Sequence, residues 1–94
     1  MSTIENDAPV NVLNVFPNPT RDLLNLDLAV LSSTDLQLSV INGLGQEVLP
    51  GTSLNIGQGA NRRVIDVSKL PAGAYIIRLT MADKVLTHRF TKVD

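Results

Sequence analysis

A chain of 94 residues holds one domain, since single domains cluster near about 100–150 residues and two hydrophobic cores would not fit. Net charge −1, with 44% hydrophobic and 18% charged residues, excludes a disordered tail and the dense basic field that nucleic acid or an anionic membrane surface requires. Without cysteine the fold has neither disulfides nor thiolate metal ligands, and it stands on packing alone.

Residues 1–10 are small and polar with Pro9 near their end, so they read as a linker leading into a domain over residues 11–94. The start carries Glu5 and Asp7 and no apolar stretch, which is not a secretory signal peptide. No apolar run approaches the roughly 18 residues of a membrane span, so direct membrane insertion is not expected. If the domain reaches the cell exterior, a segment upstream in a longer parent carries it into the export route.

Val12, Leu13, Val15 and Phe16 form a short strand that ends at Pro17-Asn18-Pro19, because proline donates no ladder hydrogen bond and pushes the residue before it out of the helical region. Leu24, Leu26, Leu28 and Val30 alternate with polar or small residues, the pattern of a strand with one face on a core. Leu36, Leu38 and Val40 repeat it. Asn42-Gly43-Leu44-Gly45 then offers two glycines able to take positive φ, a hairpin signal ahead of Glu47-Val48-Leu49. Pro50-Gly51 and Gly57-Gln58-Gly59 bracket a separate weak strand around Leu54 and Ile56.

Val64, Ile65 and Val67 lead to a corner, where Pro71 and a positive-φ Gly73 reverse the chain between Leu70 and Ala74. Tyr75, Ile77 and Leu79 follow on one face of a central strand. Tyr75 is the only tyrosine, and its place just after a corner predicts a buried ring whose hydroxyl bonds back to corner backbone. Ala82-Asp83-Lys84 turns into a last strand from Val85 to Val93. The whole reads as an all-β, Ig-like antiparallel β-sandwich of about seven strands.

The catalytic inventory is thin. A hydrolytic triad needs a nucleophile beside a base, and the one histidine, His88, shares a strand face with Leu86 and Phe90, so it reads as a partly buried structural residue. Asp22, Asp27, Asp35, Asp66 and Asp83 fall in turns or on outward positions rather than as paired acids, and no run resembles a calcium loop such as D-x-D-x-D-G. No enzyme, metal site or cofactor is expected. The G-x-G pairs at Gly43 to Gly45 and Gly57 to Gly59 precede no helix and read as turns rather than phosphate cradles. Lys84, Arg89 and Lys92 make the last strand basic, as lysine on a strand edge deters sheet-to-sheet pairing and as a strand facing an acidic receptor also requires.

Three ordered segments carry a family resemblance. Val15-Phe16-Pro17-Asn18-Pro19-Thr20 ahead of Leu24-Asn25-Leu26 resembles the opening Y-P-N-P signature of the C-terminal sorting domain of the Bacteroidetes type IX secretion system, with Phe16 for the usual tyrosine. The stretch from Leu38 to Val48 is similar to its V-x-D-x-x-G-x-x-V hairpin, with Asn42 for the usual aspartate. The stretch from Ile65 to Leu79 is similar to its L-x-x-G-x-Y segment, and Arg89-Phe90-Thr91-Lys92-Val93 to its lysine-bearing end.

The resemblance implies a noncatalytic signal that directs an N-terminal cargo through the periplasm and the outer-membrane translocon to the surface, where a sortase removes the domain. It implies that Pro17, Asn18, Pro19, Gly45, Leu70, Gly73 and Tyr75 act by building the fold, and that Lys92 and Val93 lie nearest to recognition. Such domains follow a large cargo, so the chain reads as an excised C-terminal piece or a short parent, with sortase cleavage within or before residues 1–10. An Ig-like adhesion or carbohydrate-binding module is the alternative, weakened by the absence of tryptophan, and a structural spacer beside an enzyme is a third reading.

Overall fold

The computed structural model describes residues 10–81 and 84–94. Among the described residues seven strands follow one another: β1 (Val10–Phe16), β2 (Leu23–Val30), β3 (Thr34–Asn42), β4 (Glu47–Ile56), β5 (Gly59–Asp66), β6 (Gly73–Thr80) and β7 (Val85–Lys92). They form a three-stranded sheet in the order β1-β2-β5 and a four-stranded sheet in the order β4-β3-β6-β7, with every neighbouring pair antiparallel. This is the expected all-β, Ig-like sandwich. The linker expected over 1–10 lies outside the described residues except for Val10, which already pairs with Val30.

Period-2 alternation explains the core. Leu24, Leu26 and Leu28 are fully buried, and so is every second residue of β2 through Val30. Leu36, Leu38 and Val40 of β3, Tyr75, Ile77 and Leu79 of β6, and Phe90 of β7 complete the same apolar cluster. Truncating one such leucine to alanine costs about 2–5 kcal/mol, so the central strands carry much of the stability.

Two expectations about the elements are corrected. Pro50-Gly51 does not split a strand, because β4 runs unbroken from Glu47 to Ile56. Leu38 pairs with Thr52 and Val40 with Leu49, leaving Pro50 and Gly51 against Ser39 alone. A proline lost to the ladder is tolerated at such a bulge on an edge strand. The corner also sits earlier than expected. Leu70 N–H donates to Val67 O at 3.0 Å, closing the turn over Val67–Leu70, and Ser68 N–H donates to Asp66 Oδ1 at 2.9 Å, an Asx turn. Gly73 has the expected positive φ, 158°, but it opens β6 after the turn rather than closing it.

The last connection includes Ala82 and Asp83, which lie outside the described residues; on either side of them Met81 N–H donates to Lys84 O at 2.8 Å. His88 is exposed, not partly buried, with Nδ1 3.2 Å from Arg89 O.

Candidate functional site

Register places the motif residues. Asn42 pairs with Tyr75, Tyr75 with Phe90 and Gly73 with Lys92, so the β3–β4 turn, the start of β6 and the end of β7 share one end of the four-stranded sheet. In the other sheet Leu23 pairs with Asp66, and Val67 N–H donates to Asp22 O at 2.8 Å, which brings the β1–β2 loop and the corner to that same end. Pro17, Asn18, Pro19, Gly45, Leu70, Gly73, Tyr75, Lys92 and Val93 therefore stand together, although they are scattered through the sequence.

The β1–β2 loop is built onto β7. Asn18 Oδ1 accepts the Thr91 N–H at 2.9 Å. Thr20 N–H donates to Thr91 O at 2.9 Å and Val93 N–H to Thr20 O at 2.8 Å, a parallel bridge that pairs Thr20 with Lys92. Thr20 is 1% exposed, and its hydroxyl donates to Leu23 O at 2.6 Å. Upstream, Asn25 Nδ2 donates to Phe16 O at 3.2 Å and holds the exit of β1. Pro17, Asn18 and Pro19 themselves are exposed, each proline preceded by a cis bond.

Lys92 overturns the expectation of a solvent-facing cation. Its side chain is 4% exposed, with Nζ 3.2 Å from Val93 O and 3.7 Å from the carboxylate of the exposed Asp94. It follows Phe90 on the inward face of β7, at the position whose backbone the Thr20 segment bridges. Tyr75 behaves as its position predicts: the ring is buried and stacked on Phe90 with centroids 5.5 Å apart, and the hydroxyl donates to Pro71 O.

The hairpin turn is closed by Asn42, whose Oδ1 accepts the Leu44 and Gln46 amides at 2.9 and 3.0 Å. Of its two glycines only Gly45 takes a positive φ, 83°, a left-handed conformation that glycine adopts without steric cost. On the outer face of the three-stranded sheet, Asp27 accepts two hydrogen bonds from Arg62 at 2.7 and 3.1 Å, and that guanidinium lies 4.9 Å over the Phe16 ring. The hydrogen bond from Arg62, opposed by partial desolvation and helped by its charge, holds the Asp27 carboxyl below the usual carboxylate range. Hydrogen bonds from the Ser68 hydroxyl and amide do the same for Asp66.

Thr20, Asn25 and the Arg62–Phe16 contact were not singled out by the sequence. A threonine after a proline looks like loop, and only its pairing with Lys92 makes it core. A groove near the opposite end of the sandwich is lined by polar Asp35, Gln37, Ser53, Asn55 and Thr80 and apolar Leu36, Leu54 and Met81, none of them aromatic. Among the described residues, no three His, Cys, Asp or Glu side chains are grouped so as to hold a metal ion.

No curated protein matches the chain. A family model described as the secretion system C-terminal sorting domain matches residues 14–93, from within β1 to just past the end of β7. The chain belongs to the family of secretion system C-terminal sorting domains.

Proposed function

We propose that this domain is a noncatalytic type IX export signal, read as a folded body at the end where β7 meets the Pro17-Asn18-Pro19 loop. Its role is to carry an N-terminal cargo through the outer-membrane translocon to the surface, where a sortase cuts upstream of β1. The observation that supports this is the gathering of the family-like motif residues at one end, tied by the Asn18 to Thr91 hydrogen bond and the Thr20 bridge. Pro17, Asn18, Pro19 and Gly45 are exposed at that end, while Lys92, Tyr75 and Thr20 are buried behind them. Such preorganisation lowers the ordering cost a receptor must overcome.

The deciding experiment fuses the domain behind a signal peptide and a periplasmic reporter in a type IX-competent host. Surface display that requires the intact domain is the expected result. A reporter that stays in the periplasm while the domain is folded and protease-resistant defeats the reading.

A further inference from the structure

The sandwich has four edge strands, and three of them are blunted. β1 carries a register shift between Val12 and Asn14, and β4 carries the Pro50-Gly51 bulge. The outward backbone of β7 is occupied at Thr91 and Val93 by Asn18 and Thr20. β5 differs: its eight residues pair with β2 in unbroken register from Gly59 to Asp66, without proline or bulge. A long, regular edge of this kind is a template for one more strand.

The direction of its free backbone groups follows from one bond. Val67 N–H donates to Asp22 O at 2.8 Å, and in an antiparallel ladder hydrogen-bonded residues alternate. The odd-numbered residues of β5 therefore face β2, and Ala60, Arg62, Val64 and Asp66 turn their amides and carbonyls away from it. The Arg63 guanidinium, which donates to Arg62 O at 3.3 Å, already finds one of these outward carbonyls. Beside this edge runs a groove toward β4 floored by Leu38, Leu54 and Ile65, with Arg63 and Asp66 on its rim.

We propose that the β5 edge takes an extended acidic segment of a partner protein, added antiparallel as a fourth strand of this sheet. Charge selects the occupant. Arg62 is neutralised by Asp27, whereas Arg63 bonds only to the backbone carbonyls of Arg62 and Asn55 and has no carboxylate partner among the described residues. A second copy of this chain is disfavoured: the two-fold register of fullest overlap sets Arg63 directly opposite Arg63 of the second copy, and like charges facing each other destabilise a strand pair. The carboxylate of Asp66 is held by Ser68 at the other end of the rim, so the acidic residue of the occupant belongs at Arg63. Opposite Arg63 and Ile65, an antiparallel strand presents an apolar residue two positions before an acidic one. This inference stands independently of the export reading.

The probe is the capped peptide Thr-Thr-Val-Thr-Glu-Thr, with its lysine-for-glutamate counterpart as control, titrated into the isotope-labelled chain. Amide shifts and exchange protection are expected at Ala60, Arg62, Val64 and Asp66, with the lysine peptide bound at least about fivefold more weakly, the scale of one partly exposed ion pair. Arg63→Glu reverses that preference, and Val64→Pro, which removes an outward amide not used by β2, abolishes binding while the thermal transition persists. If Val64→Pro fails to fold, the charge reversal still decides. Unchanged β5 amides at millimolar peptide, equal affinity for both peptides, perturbation confined to β7, or dimerisation of the chain through β5 would each overturn the proposal.

Discussion

Asn18 and Thr91 stand 73 positions apart in the chain, yet the Asn18 carboxamide accepts the Thr91 amide at 2.9 Å. This bond and the adjacent Thr20 bridge make the first loop a structural part of the last strand. Asn18→Ala removes the acceptor from an exposed amide that water then solvates, so the expected loss is about 0.5–1.5 kcal/mol. Thermal unfolding by circular dichroism should show a drop of roughly 2–12 °C, given about 4–8 °C per kcal/mol for a domain of this size. Asn18→Asp keeps the acceptor and should recover most of it. Equal exchange rates for the Thr91 amide in wild type and Asn18→Ala would show that the bond does not hold in solution.

Gly45 offers a cleaner backbone test. Its φ of 83° lies in the left-handed region, and an added Cβ meets nothing within 4 Å, so any cost of Gly45→Ala comes from backbone conformation and not from a clash. The expected loss is about 1 kcal/mol, and more for Gly45→Val because a β-branched side chain tolerates this region least. Urea unfolding should show a lower midpoint at unchanged slope. A midpoint equal to wild type would place the turn in another conformation.

These two sites differ in how legible they were. The glycine turn, the alternating leucines of β2 and the Tyr75 corner follow from local rules, in which residue type and spacing suffice. Leu86, His88, Phe90 and Lys92 share one strand face, yet the sequence placed His88 partly buried and Lys92 in solvent, and the fold reverses both. In the fold β7 is an edge strand in which Lys92, bridged at its backbone by Thr20, is buried, whereas His88 is exposed. Pairing between the two ends of the chain decides this, and no local pattern encodes it. Pro50 misled for a related reason: its effect depends on whether its strand is central or at an edge, which is a property of the sheet order.

Acid titration tests the two held carboxylates. Asp27 and Asp66 have folded-state values below their ordinary range, so their contribution is present above the unfolded carboxylate pKa of about 3.9 and is lost as pH falls through the lower folded value. Stability measured from pH 6 downward should therefore decline below about pH 4. Asp66→Asn, which removes one titrating group, should show a shallower decline than wild type over the same window. Parallel curves for the two proteins would mean that the Ser68 hydrogen bonds do not hold the Asp66 carboxyl in solution.

Lys92 separates folding from recognition. Because its side chain is 4% exposed, Lys92→Ala removes three buried methylenes with the ammonium, and a loss of about 1–3 kcal/mol is expected rather than the near-zero change of a surface site. Lys92→Met fills similar volume without the ammonium and should stay within about 1.5 kcal/mol of wild type. Export then distinguishes two roles. If Lys92 acts by holding the end of β7 in place, the methionine variant folds and carries the reporter to the surface, while the alanine variant loses export in proportion to its unfolded fraction. If the translocon reads the ammonium near Asp94, the methionine variant folds normally and leaves the reporter in the periplasm. The burial of Lys92 beside the Thr20 bridge favours the first outcome, and full folding with abolished export of Lys92→Met would assign the residue to direct recognition.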